Sequence, residues 1–200
     1  PAIWETANHL EREGFEITRI PVDNAGKVNL GDIKNAIQEN TALISIMYAN
    51  NEIGTINPIS QIGKIAHKNN ILLHTDAVQA FAKTSIDVLQ ENIDMLSVSA
   101  HKFYGPKGIG FLYIKNLPNT EKNDSSARKL IQPLMFGGSQ EFNVRPATEN
   151  VPGIVGMGKA VEIATKDLEF EIKRLTNLRD YTIDHILNEI PNTKLNGHRT

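Results

Sequence analysis

Apolar positions along the chain switch repeatedly between helical spacing and short continuous runs, and these switches set out the elements. Ile3, Ala7 and Leu10 fall on one helical face, and Gly14 is placed to end that helix. Phe15 to Ile20 reads as a short strand. Leu30 to Gln38 is helical again, with Ile33, Ala36 and Ile37 on one side. Ala42 to Met47 is an apolar run of strand length, closed by the polar turn Asn50-Asn51-Glu52. A helix over Ile59 to Lys68 follows, then strands over Ile71 to His74, Met95 to Val98 and Gly110 to Ile114. Lys115 to Lys129, polar and interrupted by Pro118, reads as a surface loop. From Val151 onward Ile163, Leu168, Ile172, Leu175, Leu178, Ile183 and Ile186 recur at helical spacing. They predict one long helix that leaves the sheet with charged residues outward.

Strands alternating with helices of about ten residues predict an α/β fold: a mostly parallel sheet sandwiched by helices. The strand over Ile71 to His74 is expected to be buried on both faces. Ligands of such sheets bind beyond the carboxyl ends of the strands. The polar residues of most interest lie there: Asn51 after one strand, Asp76 after a second, His101 and Lys102 after a third.

Composition narrows the function classes. The 200 residues are 40% hydrophobic and 22% charged with a formal net charge of -2, ordinary for a globular chain. Neither a global positive field nor a basic run favours nucleic acid or an anionic membrane surface. No apolar stretch approaches the roughly 20 residues of a membrane span. The chain opens on Pro1-Ala2, with no targeting segment in view, as expected of a piece cut from a longer chain. It contains no cysteine, which rules out disulfides and thiolate metal sites within it and accords with a reducing, cytoplasmic setting.

The densest chemistry lies in Ser97-Val98-Ser99-Ala100-His101-Lys102-Phe103-Tyr104-Gly105-Pro106-Lys107-Gly108. Two hydroxyls, an imidazole and an amine follow an apolar strand directly. A lysine acting as a nucleophile needs its proton affinity lowered by desolvation or by a neighbouring cation, here His101. Alone, such a lysine is most simply a surface residue; partners decide the matter. Asp76 is the strongest partner, since a carboxylate at a buried strand end needs a cation or several donors. Its plain alternative is capping a helix that begins at Ala77. Gln79 and Asn51 offer neutral polar groups, Ser99 and His101 offer donors to an anion, and Thr148 lies in Arg145-Pro146-Ala147-Thr148-Glu149-Asn150. His74 either stacks on a ring or is a core histidine, and His67, at a polar helix end, is expected to be solvated. No metal-ligand spacing, P-loop or Gly-x-Ser-x-Gly elbow is present.

Read together, Met47-Tyr48-Ala49-Asn50-Asn51-Glu52-Ile53-Gly54, His74-Thr75-Asp76-Ala77-Val78-Gln79 and Ser99 to Gly108 resemble the NifS-like cysteine desulfurases. These belong to the class V aminotransferase group of fold-type I pyridoxal-phosphate (PLP) enzymes. A fourth match runs from Gly137-Gly138 through Gln140-Glu141, Arg145 and Thr148-Glu149-Asn150 to Val155-Gly156-Met157-Gly158-Lys159-Ala160. The resemblance implies that residues 1–160 are part of a PLP-binding large domain. Over residues 161–200 it implies a connecting helix and the beginning of a small C-terminal domain. Lys102 would be the Schiff-base lysine and the group that moves the substrate's Cα proton. Asp76 would pair with the pyridinium nitrogen and Gln79 with the phenolic oxygen. Ser99 and His101 would hold the phosphate, and Asn51 would lie by the ring and the substrate carboxylate. Thr148 would reach the phosphate of the partner subunit in a homodimer.

The activity implied is removal of sulfur from L-cysteine to give L-alanine and an enzyme persulfide, which passes to a sulfur acceptor or iron–sulfur scaffold protein. The family's persulfide cysteine and carboxylate-binding arginine match no position here, so this stretch alone is expected to be inactive. The loop also departs from the desulfurase pattern at Gly138-Ser139 and Phe142-Asn143-Val144. Its Arg-Pro-Ala-Thr-Glu-Asn run is closer to the selenocysteine lyases of the same group, which stand as a second reading. A silent interaction module is a third, opposed by the intact Asp76, Gln79, His101 and Lys102 set.

Overall fold

A computed structural model of the chain describes residues 2–115 and 131–199. Among these residues one four-stranded sheet forms, in the order β1-β2-β3-β4. Its strands are β1 (Leu43–Met47), β2 (Leu72–Asp76), β3 (Met95–Ser99) and β4 (Gly110–Ile114). β1, β2 and β3 run parallel, and β4 closes the edge antiparallel to β3. Parallel neighbours require a crossover, and α3 (Ile59–Lys68) supplies the one between β1 and β2.

The period of two in β2 and β3 divides the sheet into unlike faces. Leu73 and Thr75 of β2 are fully buried, as are Leu96 and Val98 of β3 to within a few per cent. Leu73, Leu96 and Val98 share one core with Ile59, Ile62, Ile65 and Ala66 of α3. Burying each large aliphatic side chain contributes roughly 1.5–3 kcal/mol. His74, Asp76, Ser97 and Ser99 take the opposite face and remain half-buried. β2 is therefore not buried evenly on both faces, because its polar alternate positions need donors and acceptors that an apolar cover cannot give.

The polar groups that do enter the core are paired. Asn57 accepts from Val28 N–H at 3.1 Å and donates to the Met47 carbonyl at 2.8 Å. Asp94 accepts from Leu73 N–H at 2.9 Å and from His67 Nε2 at 3.1 Å. His67 is thus half-buried against a carboxylate rather than solvated, because the last turn of α3 lies over the start of β3.

Helix α1 (Ala2–Arg12) ends ahead of Gly14, whose φ of +95° suits glycine, and α2 (Leu30–Ala36) buries Ile33. Two further expectations are corrected. Residues 15–20 form no strand: among the described residues β1 and β4 are the sheet edges and neither pairs with this segment. The helix after Val151 is two helices, α5 (Val151–Lys166) and α6 (Leu168–Glu189), because Asp167 leaves helical geometry at φ -123°, ψ 32°. A four-residue turn, α4 (Gln140–Asn143), precedes them. Of the expected loop over 115–129, residues 116–129 lie outside the described residues. Among the described residues no helix is long and apolar enough to cross a membrane.

Candidate functional site

Strand register assembles the candidate residues. Met47 pairs with Asp76, Asp76 with Ser97, and Ser99 with Gly110, so β1, β2 and β3 end at nearly one level. Asp76 is the last residue of β2 and Ser99 the last of β3. Asn51 follows β1 in the turn that its neighbour builds: Asn50 Oδ1 accepts from Glu52 and Ile53 N–H at 2.8 and 3.0 Å. The Asn50 side chain is consumed by the turn, whereas that of Asn51 is exposed.

Directly after β3 the backbone winds into a 3-10 turn, Ala100–Phe103, that carries His101 and Lys102. Ala100 and Phe103 are buried and fix the turn from below. Tyr104 ends it in the left-handed region at φ 67°, and Gly105 N–H returns to the Ala100 carbonyl at 2.9 Å. A Cβ on Gly105 would sit 2.9 Å from that carbonyl oxygen, so glycine is required here. Helix α5 packs against the turn, and Gly156 admits Pro106, whose Cγ would lie 2.7 Å from an added Cβ. The fourth sequence match thereby serves to brace the loop that bears Lys102.

The Lys102 ammonium has no hydrogen-bond or ion-pair partner among the described residues, and its side chain is half-buried. Ser99 Oγ and His101 Nδ1 lie 2.8 Å apart, leaving Nε2 of an exposed ring directed elsewhere. Asp76 Oδ1 accepts from Val78 N–H at 3.0 Å. The capping alternative is thus half realised: one oxygen caps the following turn, which does not continue as a helix because Ala82 adopts φ 58°. The second oxygen has no partner among the described residues.

Gln79 and Asn51 share the wall of a cavity of about 330 Å3 with Glu52, Lys83 and Thr84. Asp76 and Lys102 are not in that wall. Lys83 donates to Gln79 Oε1 at 2.9 Å. Burial holds the Lys83 amine below the usual lysine range, and the like charge of Lys102 lowers it further. Lys83 was not picked out from the sequence, although its spacing of four from Gln79 was a readable signal. Thr148 is exposed ahead of α5 and makes no hydrogen bond to the strand-end group among the described residues.

His74, two residues before Asp76, is held by hydroxyls on both sides: Ser45 Oγ at 2.8 Å from Nδ1 and Ser97 Oγ at 2.8 Å from Nε2. It is a sheet-face histidine bridging three strands. Burial pushes it below the ordinary 6.5, and the Asp76 carboxylate opposes this. The unfolded chain therefore takes up a proton before the folded one does. Stability from this group is fully present above about pH 6.5 and declines as pH falls through the lowered folded value. Urea denaturation across pH 4.5–8, a range of roughly two units either side of the histidine region, is expected to show that acid-side decline. In His74→Gln the decline is expected to flatten, and an unchanged slope would assign it to other groups.

Comparison with known proteins identifies the family. The family description "Aminotransferase class-V" matches residues 1–200. The "Cysteine desulfurase IscS" of Clostridium botulinum is 53% identical over 196 residues, covering 98% of this chain and 47% of that protein. A solved "NIFS-LIKE PROTEIN" superposes with a TM-score of 0.83 at 40% identity, over 94% of this chain and 49% of the other. A second solved structure, "SspA in complex with cysteine", gives 0.77 at 38% identity over 99% and 53%. The chain spans about half the length of the curated relatives it matches. With that match along its whole length, this chain belongs to the aminotransferase class-V family.

Proposed function

We propose that these residues form the cofactor-holding half of a PLP-dependent cysteine desulfurase. The observation that carries this is the gathering of Asp76, the Ser99–His101 pair and Lys102 at one end of the sheet by strand register. The donor set suits PLP: an unpaired carboxylate oxygen for a cationic ring nitrogen, hydroxyl and imidazole for a phosphate, and a primary amine for an aldehyde. When bound, PLP supplies an electron sink for bonds at the Cα of an amino acid.

Lys102 is the covalent anchor and then the base that holds the Cα proton. Asp76 keeps the ring nitrogen protonated, Gln79 donates to the phenolic oxygen, and Ser99 with His101 binds the phosphate. Asn51 orients ring and substrate carboxylate from the β1 turn. Thr148 serves the phosphate of a second subunit in a homodimer, in keeping with its exposure. Residues 1–160 belong to the large domain, and 161–200 form a connecting helix and the beginning of a small C-terminal domain. L-Cysteine gives up its sulfur to a thiol from outside these 200 residues, which contain no cysteine, and leaves as L-alanine. The persulfide passes to an acceptor such as an iron–sulfur scaffold protein, in the cytoplasm, where thiols stay reduced.

The names of the relatives support cysteine as substrate, while the run Arg145 to Asn150 favours selenocysteine as a second reading. Assay of the protein at the full length its gene encodes separates them. Alanine and reductant-released sulfide from L-cysteine are expected; alanine from selenocysteine alone would transfer the assignment to the lyase, and alanine from neither would reject both.

A further inference from the structure

Gln79 can serve the cofactor's phenolic oxygen in only one of its two amide orientations. A phenolate oxygen accepts, so the side chain must present Nε2 and turn Oε1 away. Lysine carries three donors and no acceptor. The Lys83 ammonium, 2.9 Å from the Gln79 amide, can therefore bond only to Oε1. We propose that Lys83 is a positioning residue that locks the Gln79 amide with Nε2 free to donate, a role that rests on the PLP reading above.

The local structure is built for this. Lys83 follows Gln79 by four residues in a tight turn, held by Phe81 N–H to the Ala77 carbonyl at 2.8 Å and Thr84 N–H to the Ala80 carbonyl at 3.0 Å. Spacing of four puts the two side chains on one side of that turn. Phe81 fixes the turn to the core, with ring centroids 5.1 Å from Phe103 and 5.3 Å from Phe111. Phe103 belongs to the same 3-10 turn as Lys102. One aromatic cluster thus sets the Gln79–Lys83 pair against the Lys102 turn. Gln79 and Lys83 line the same cavity, and Nε2 has no partner among the described residues. The field of Lys102 reaches Lys83, which places the two amines within electrostatic range of each other. Its hydrogen bond to Gln79 tethers Lys83, whose side chain is otherwise exposed.

The test uses the full-length protein loaded with PLP. Lys83→Met removes the donor but keeps the stem. It is expected to weaken PLP binding about three- to tenfold, the effect of one net hydrogen bond. It is also expected to move absorbance of the bound cofactor from the visible toward the near-ultraviolet, as the phenolic oxygen loses its donor. Lys83→Arg, also purely a donor, is expected to restore both. In a Gln79→Leu background Lys83→Met should add nothing, because the effect runs through the amide. Additive losses in that double variant, or a Lys83→Met spectrum like the parent's, would overturn the role. Lys102→Ala serves as the separate check on the site. If the visible band is lost there while Lys83 and Gln79 stay uncoupled, the PLP reading stands and only the positioning role fails. If no cofactor binds Lys102 at all, both fall together.

Discussion

Replacing Lys102 with alanine is expected to abolish covalent retention of PLP and to lower turnover by at least the roughly 10²- to 10⁴-fold that a positioned general base supplies. The loss should be chemical, with folding spared. Lys102 contributes no hydrogen bond or ion pair among the described residues, and its turn is held by the buried Ala100 and Phe103 and by Gly105 N–H on the Ala100 carbonyl. A change at a half-exposed side chain of this kind alters stability by about 0.5 kcal/mol or less. Urea midpoints of parent and variant should coincide, while the visible absorbance of PLP disappears from the variant after gel filtration. A cofactor-free measurement runs alongside. Removing the charge of Lys102 leaves only burial to depress Lys83, so the Lys83 amine should titrate closer to the ordinary lysine range, as read by side-chain NMR. A visible band that survives in Lys102→Ala would move the anchor elsewhere, and Lys83 would be the next amine to substitute.

Much of this site was legible because its residues are strand ends. A strand end needs only a local apolar run and a polar stop, so Asp76, Ser99 and Lys102 could be placed from short-range pattern alone. α3 was read at its observed bounds for the same reason, its periodicity being strong and self-contained. What local pattern could not supply was pairing. Phe15 to Ile20 has strand composition yet forms no ladder, since ladder formation depends on a neighbour that sequence spacing does not announce. His67 was misjudged in the same way: its partner Asp94 is 27 residues away and meets it through the packing of α3 on the sheet. The break at Asp167 escaped because the apolar period continues across it while the backbone does not.

The loop before α5 shows both limits at once. The family pattern has glycine where this chain has Asn143, and the backbone there takes φ 65°, which asparagine tolerates better than most residues. At Asn143 the departure in sequence is therefore small in conformation, whereas Phe142 beside it also takes a positive φ, 60°. Ser139, at the other departure, sits at φ -90° and needs no glycine. Motif differences that look like loss of function can thus be conformationally silent, as at Asn143 and Ser139.

Changing Asp76 to asparagine is expected to weaken PLP binding by about 10- to 100-fold, the effect of losing a charged hydrogen bond worth roughly 1.5–3 kcal/mol. Turnover should fall by a further ~10²-fold or more, because a fixed charge that holds the ring nitrogen protonated acts where electrons accumulate. The substitution is nearly isosteric, and asparagine Oδ1 can still accept from Val78 N–H, so the turn after β2 is retained. The neighbouring His74 reports the same change without the cofactor. Asp76 raises the proton affinity of His74, whereas burial lowers it; with the carboxylate gone, burial acts alone. His74 should therefore titrate at a still lower pH in Asp76→Asn, and the acid-side loss of stability should begin at the same unfolded-state value but extend further down in pH. An imidazole titration that stays put would mean that Asp76 exerts no field on His74, and the electrostatic part of the assignment would have to move to another residue.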